Sequence, residues 1–306
     1  MKFTELEEVE QLVTGCGLDL NALAQIVADS LEEDLGGRGV LPGGSTGVDV
    51  TSVATIPVDA MAAGRLVARA AGTLAGLPVA AYTVARLCGS DWPFDMELRR
   101  TDGDQVIPGD ILMDVTGNAQ ALLRAERVAL NLVSLMSGVA TATSAWVEAL
   151  SGTRTRVRDT RKTAPGLRML QKYAVRVAGG VNHRMSLADA ALIKDNHVVA
   201  AGGVVEAFEA VRSAYPDIPV QVEVTTREQA QAVVSAGASD ILLDNMPLDE
   251  MAAVVAELGS AARFEASGGL SLSEAAAIAR TGVNYVAVGA ITHSAPALDI
   301  ALDFCA

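Results

Sequence analysis

Four apolar stretches recur along the second half of the chain at nearly constant spacing. They end near Glu223 (VQVEV), Asp244 (ILLDN), Ser267 (FEASGG) and Gly289 (YVAVGA), so successive ends lie 21, 23 and 22 residues apart. The segments between them, such as 227–236 and 248–258, carry apolar residues at helical spacing. A strand–helix unit repeated at this length predicts parallel strands joined by crossover helices, the construction of an α/β barrel. Working groups in such barrels sit at the C-terminal ends of the strands, and each of these ends carries a polar residue or a glycine.

The barrel pattern begins beside a concentration of cations. Residues 154–194 hold ten Lys or Arg against two acids, Asp159 and Asp189, in a chain whose formal charge is -14. Like charges packed this closely repel one another unless an anion lies among them. Arg158, Arg161, Arg168 and Arg184 present planar forks suited to carboxylate or phosphate, while Lys162 and Lys194 act as point charges. The pattern predicts a pocket for a small molecule bearing several negative charges. An acidic chain of pI near 4.6 has no other run of cations to track a phosphate backbone, so nucleic acid is excluded as a partner.

The first part of the chain reads differently. Residues 1–20 are an acidic lead-in with room for a short helix, and 23–35 is a helix with Ile26, Val27, Leu31 and Leu35 on one side. Residues 36–47 hold six glycines and a proline and read as loop. Residues 64–70 and 96–99 are strand-like, 105–114 read as strand, turn and strand, and 78–87 as a helix, giving a mixed α and β domain. Residues 121–136 form a helix that is apolar nearly all round. A cation such as Arg127 within it pairs with Glu126, lies at a solvated helix end, or reaches a neighbouring anion site. Residues 298–304 alternate Leu298, Ile300, Leu302 and Phe304 with two aspartates, a half-buried strand returning to the N-terminal sheet. No apolar run reaches the roughly 20 residues that span a bilayer. Cys16, Cys88 and Cys305 are scattered, and the N-terminus has no signal-peptide pattern, so a cytoplasmic protein without membrane attachment is expected.

Glu223 and Asp244 should face each other across the barrel mouth. There they either satisfy nearby cations or bind Mg²⁺ and stabilise a developing positive charge. The turns Ser267-Gly268-Gly269 and Gly289-Ala290 are either plain tight turns or a backbone cradle for phosphate after the last two strands. The three histidines show no metal-ligand spacing, and His183 among the cations is a candidate substrate contact. Lys194 could form a Schiff base, although the cations beside it favour anion binding.

These residues resemble the quinolinate phosphoribosyltransferase family over nearly the whole chain. The resemblance rests on Glu33-Asp34-Leu35, Asp49-Val50-Thr51, Ala125-Glu126-Arg127 and Ser137-Gly138, then on Asp159-Thr160-Arg161-Lys162-Thr163 and Pro165-Gly166-Leu167-Arg168. It continues through Lys172-Tyr173-Ala174-Val175, Asn182-His183-Arg184, Lys194-Asp195-Asn196-His197 and Glu223-Val224, and ends with Leu243-Asp244-Asn245, Ser267-Gly268-Gly269 and Val288-Gly289-Ala290. The fold it implies is α/β: an incomplete parallel, TIM-like α/β barrel over 137–295. It also implies an N-terminal α/β sandwich domain over 1–136, completed by a C-terminal strand at 296–306.

The resemblance implies that Thr160, Arg161, Lys162, His183, Arg184 and Lys194 hold quinolinate and phosphoribosyl diphosphate. Glu223 and Asp244 would face the ribose and an oxocarbenium-like transition state, with Lys162 and Lys194 beside them as catalytic groups. Ser267, Gly268, Gly269, Val288, Gly289 and Ala290 would bind the 5'-phosphate. Mg²⁺ would accompany phosphoribosyl diphosphate, with no dedicated protein metal site. The assembly would be a homodimer or a hexamer built as a trimer of dimers, Arg127 reaching the neighbouring subunit's site. Three departures touch none of these positions: the insertion at 36–47, the long acidic lead-in, and Ala178 where many members have glycine. A same-fold relative with another acceptor, a non-catalytic phosphate-binding regulator and a Schiff-base aldolase are the competing readings. The intact cations and carboxylates argue against the first two, and borohydride trapping would test the third.

Overall fold

The computed structural model describes residues 1–37, 47–89 and 91–305; most of the glycine-rich loop expected at 36–47 therefore lies outside the described residues. The chain opens with β1 (Lys2–Phe3), α1 (Leu6–Gly15), α2 (Leu20–Asp34) and α3 (Val50–Thr55). There follow β2 (Met61–Ala68), β3 (Gly72–Thr73), α4 (Leu77–Cys88), β4 (Asp95–Leu98), β5 (Gln105–Val106), β6 (Ile111–Asn118) and α5 (Ala119–Ala149). Next come β7 (Arg156–Arg158), α6 (Arg168–Val177), β8 (Ala191–Ile193), α7 (Asp195–Ala201) and α8 (Val204–Ala214). The remainder alternates as β9 (Val220–Val224), α9 (Arg227–Ser235), β10 (Asp240–Asp244), α10 (Leu248–Leu258), β11 (Arg263–Ser267), α11 (Ala275–Arg280), β12 (Tyr285–Ala287) and α12 (Ala290–His293), before β13 (Ile300–Phe304).

The chain divides into two compact units, one of Met1–Thr141, Pro165–Ala178 and Ala295–Ala306, the other of Ala142–Ala164 and Gly179–Ser294. The sequence reading divided the chain after 136 and left 165–178 in the barrel. Two interactions account for the difference. Helix α5 runs straight through Gly138, where a side chain would strike the Pro296 carbonyl 2.1 Å away; the glycine serves close packing and does not end the helix. Helix α6 joins the first unit through Tyr173, whose hydroxyl donates to Asp102 at 2.8 Å.

The first unit is built on an antiparallel sheet in the order β1-β4-β6-β2-β13. β1 was not foreseen in the acidic lead-in. Helix α4 is buried along almost its whole length. Its N-terminal amides are satisfied by Asp102, which accepts from Gly76 N at 2.7 Å and Leu77 N at 2.9 Å. Burial pushes the Asp102 carboxyl above the ordinary range, against the pull of those donors. Helix α5 is longer and less uniformly buried than expected, with Arg124, Arg127 and Asn131 on an exposed stripe. By length and composition alone it could cross a membrane, which corrects the expectation that no run is long enough. Yet 61% of its most apolar window is buried inside the protein, as in a core helix.

The second unit is a parallel sheet in the order β7-β12-β11-β10-β9-β8. Val181 adds a single-residue bridge beside β7, donating to Val157 O at 2.9 Å and accepting from Asp159 N at 3.1 Å. Six paired strands fall short of the eight that close a full barrel. Val222, Val224, Ile241, Leu243, Phe264 and Ala266 are buried on one side of the strands. The alternate residues, Gln221 and Glu223, Leu242 and Asp244, Glu265 and Ser267, share the other face. That face is polar, and it carries the site.

Candidate active site

Glu223 and Asp244 lie on neighbouring strands, with Glu223 in register with Leu242. They are therefore side by side, not opposite one another across the mouth as the spacing suggested. Burial raises the pKa of Glu223; Lys194 opposes the shift, and the charges of Asp244 and Asp195 add to it. The Lys194 ammonium stands 3.8 Å from Glu223 and is half exposed, so it counters the carboxylate only in part. Asp244 is held by the residue after it. Asn245 adopts φ 50, the only positive φ outside glycine among the described residues, and donates from Nδ2 to Asp244 Oδ2 at 2.8 Å. Its backbone N–H reaches Ser267 O at 2.9 Å, which ties the ends of β10 and β11 together.

The cations collect on the loops around these carboxylates. Arg184 has its pKa lowered by burial first and then by the positive charge of Arg161, so the two guanidiniums stand close enough to repel. Arg184 donates to Ala190 O at 2.8 Å. Among the described residues Arg161 and Lys162 form no ion pair, and the buried Nε of Arg161 has no hydrogen-bond partner. The loop bearing them is fixed by its backbone. Lys162 N donates to Thr160 Oγ1 at 3.0 Å, and Thr292 Oγ1 donates to Lys162 O at 2.8 Å. Unpaired cations held at close range by backbone geometry form an anion site.

His183 is placed by a different set of contacts. Its backbone N–H donates to the fully buried Asp159 at 2.7 Å, and Asn182 donates to the same carboxylate at 2.6 Å. Its ring Nε2 meets Gln221 Oε1 at 2.7 Å, and its Nδ1 accepts from Arg184 N at 2.7 Å. His197 accepts from Lys194 N at 3.0 Å and so caps α7.

The glycines beyond β11 and β12 have separate reasons. Gly268 (φ 98) and Gly269 (φ 58) are left-handed, and a side chain on Gly268 would overlap Asn245 at 2.3 Å. Gly289 lies under the Lys162 side chain, 3.2 Å from where a methyl group would sit. Val288 is buried and donates to Arg158 O at 2.9 Å; Ala290 begins α12. Ser271 is committed locally, bonding Glu274 from both its backbone and its hydroxyl.

Residues 49–137 match the family model for the quinolinate phosphoribosyl transferase N-terminal domain, and residues 139–303 match the one for its C-terminal domain. The chain belongs to the quinolinate phosphoribosyl transferase family. It is 46% identical, over 95% of its length and 100% of the relative's, to the nicotinate-nucleotide pyrophosphorylase [carboxylating] of Mycobacterium leprae. Among solved structures it is similar to the nicotinate-nucleotide pyrophosphorylase of Francisella tularensis (TM-score 0.84, 32% identity, 93% of this chain and 96% of that one). It is similar as well to NadC from Streptococcus pyogenes (TM-score 0.85, 34% identity, 94% and 99% covered).

The barrel unit contains Thr160, Arg161, Lys162, His183, Arg184, Lys194, Glu223, Asp244, Ser267–Gly269 and Val288–Ala290. Arg127 belongs to the first unit, where it is 62% exposed and stands 3.8 Å from Glu126, the internal pair weighed from sequence. The sequence reading missed Gln221 and Glu265, passed over Arg158 as one more cation, and gave Asn245 no role. A signal for the first two exists: each precedes a strand-end residue by two positions and therefore shares its face.

Proposed function

We propose that the chain transfers the phosphoribosyl group of phosphoribosyl diphosphate to quinolinate and releases CO2, giving nicotinate mononucleotide for de novo NAD biosynthesis. The observation that carries this reading is the juxtaposition of Arg161 and Arg184, close enough to lower the latter's pKa, with Glu223 and Asp244 on adjacent strand ends. A dicarboxylate relieves the first pair, and a sugar gaining positive charge is stabilised by the second. The pyridine nitrogen lone pair forms a bond to ribose C1 as the bond from C1 to the diphosphate oxygen breaks. The 2-carboxylate then leaves as CO2, and its electron pair takes up a proton at C2.

Lys162 and Lys194 act on the phosphates, and the turns at Ser267–Gly269 and Val288–Ala290 seat the 5'-phosphate. Among the described residues no group of three or more His, Cys, Asp or Glu forms a metal cage. Two neighbouring carboxylates do suit an ion that brings its remaining oxygen ligands with the diphosphate. Glu223 and Asp244 would hold that Mg²⁺, which would offset charge on the leaving diphosphate. Arg127, exposed on α5, acts in the site of a second copy within a homodimer or a trimer of dimers, and the enzyme works in the cytoplasm.

The test is release of CO2 and diphosphate from quinolinate plus phosphoribosyl diphosphate with Mg²⁺, with nicotinate run in parallel. Turnover of quinolinate alone supports the reading. No turnover by folded protein sinks it, and an acceptor screen would follow. Mixing Arg127→Ala with Glu223→Ala subunits should restore some activity, since a hybrid assembles one site free of both changes. No recovery, with hybrids verified, would remove Arg127 from a shared site.

A further inference from the structure

A chain of polar groups runs under the candidate site through the barrel interior. Arg158 donates to Glu265 Oε2 at 2.7 Å, and its guanidinium lies 4.1 Å from the centre of the Tyr285 ring. Gln221 Nε2 donates to the same Glu265 oxygen at 2.8 Å, and Gln221 Oε1 meets His183 Nε2. Glu265 is 1% exposed and Gln221 7%, so neither turns to solvent for an alternative partner.

The direction of each bond follows from its neighbour. Paired with Arg158, Glu265 is a carboxylate and can only accept. Its contact with Gln221 must therefore be donated by the amide nitrogen, which leaves the amide oxygen facing His183. An oxygen acceptor there requires a proton on His183 Nε2. At the other side of the ring, the backbone N–H of Arg184 is always a donor, so Nδ1 must offer a lone pair. Both ends demand the same neutral tautomer. The opposite tautomer would set lone pair against lone pair at Nε2 and N–H against N–H at Nδ1. A doubly protonated ring would keep the second conflict.

We propose that Glu265, acting through Gln221, fixes the tautomer of His183 and thereby orients Arg184, the arm that grips a substrate carboxylate. The proposal rests on the functional reading above and deepens it. Glu265, Gln221 and His183 are positioning residues, and the positive charge facing the dicarboxylate comes from Arg161 and Arg184. Arg184 is held at its backbone by the His183 ring and at its guanidinium by Ala190 O, so a ring facing the wrong way would release one of two anchors.

The experiment is ¹⁵N NMR of the full-length protein labelled at histidine, which has only three: His183, His197 and His293. Variants His197→Gln and His293→Gln assign the spectrum. Wild-type protein should show His183 protonated at Nε2 and unprotonated at Nδ1 at neutral pH. A proton on Nδ1, or a cationic ring, overturns the proposal without any variant. In Glu265→Gln the new amide can donate or accept, so Gln221 can reverse and His183 should become a mixture of tautomers. The KM for quinolinate should then rise roughly tenfold, the worth of about one hydrogen bond, while kcat holds within about twofold. Gln221→Met, which leaves the Arg158–Glu265 pair intact, should do the same. A changed tautomer with unchanged KM in either variant would overturn the link to Arg184. Absence of quinolinate turnover by the wild type would sink the functional reading alone, because the tautomer is read without substrate.

Discussion

On the antiparallel sheet, Arg65 and Arg99 share Asp114 at 3.0 and 2.5 Å, and Arg69 grips Asp303 at 2.5 and 2.7 Å. At the strand ends of the parallel sheet, Arg161 and Lys162 form no ion pair among the described residues, and Arg161 repels Arg184. Inside the same barrel Arg158 is again paired, with a carboxylate that is almost wholly buried. In these cases the closely paired cations serve the fold, while Arg161 and Lys162 are left without a carboxylate of the protein's own among the described residues. The difference teaches that cation content alone says little; what matters is which cations the protein declines to neutralise itself.

The distinction breaks most readily at Arg158. Arg158→Met leaves Glu265 charged and buried with only the neutral Gln221 amide as a partner, and should cost about 3–5 kcal/mol of unfolding free energy in a urea titration. A loss near zero would mean that the pair is not what holds the barrel interior. Arg161→Ala should do the reverse. Quinolinate kcat/KM falls about 10- to 100-fold for the loss of one charge-assisted contact, while the melting temperature stays or rises as the repulsion with Arg184 disappears.

The pH dependence sharpens the same contrast. Because the pKa of Glu223 is raised in the folded protein, the acid limb of kcat should lie above that of an ordinary glutamate. Lys194→Met, which removes a cation favouring the ionised form, should move that limb further up. For stability the sign is opposite: the contribution of Glu223 is present below its unfolded pKa and is lost as pH rises through the folded one. A limb that stays put in Lys194→Met would separate Lys194 from Glu223. Smallest of all, Arg69→Ala on the sheet surface should change stability by less than about 1 kcal/mol in the same titration and leave quinolinate kinetics unaltered.

The strands ending at Glu223, Asp244, Ser267 and Gly289 were legible because buried parallel strands read as apolar runs. β7 was not, since Arg156 and Arg158 alternate with Val157 and look like surface; the carboxylate that makes Arg158 tolerable inside comes from β11, 107 residues later. Helix α5 was read only as far as 136, short of Gly138, whose close approach to Pro296 no local pattern reports. The cations of the site stood out against an acidic chain. His183 could be placed among them, but the groups that set its chemistry could not. Gln221 lies 38 residues from it and Glu265 a further 44, and no local pattern reports a hydrogen bond over such separations.

β13 pairs with β2 along Ile300–Phe304, and the Arg69–Asp303 bond joins residues 234 positions apart. On the ribosome, β2 therefore emerges long before its edge partner, and the whole second unit is translated in between. Until β13 arrives the first sheet carries a bare edge, open to pairing with another nascent chain. Closing so long a loop is slow relative to the local pairings of β9, β10 and β11, which have their partners within some 20 residues of one another, whereas β7 must wait for β12. The centre of the barrel sheet should thus be the earlier folding event, and the sheet that begins the sequence should be completed last.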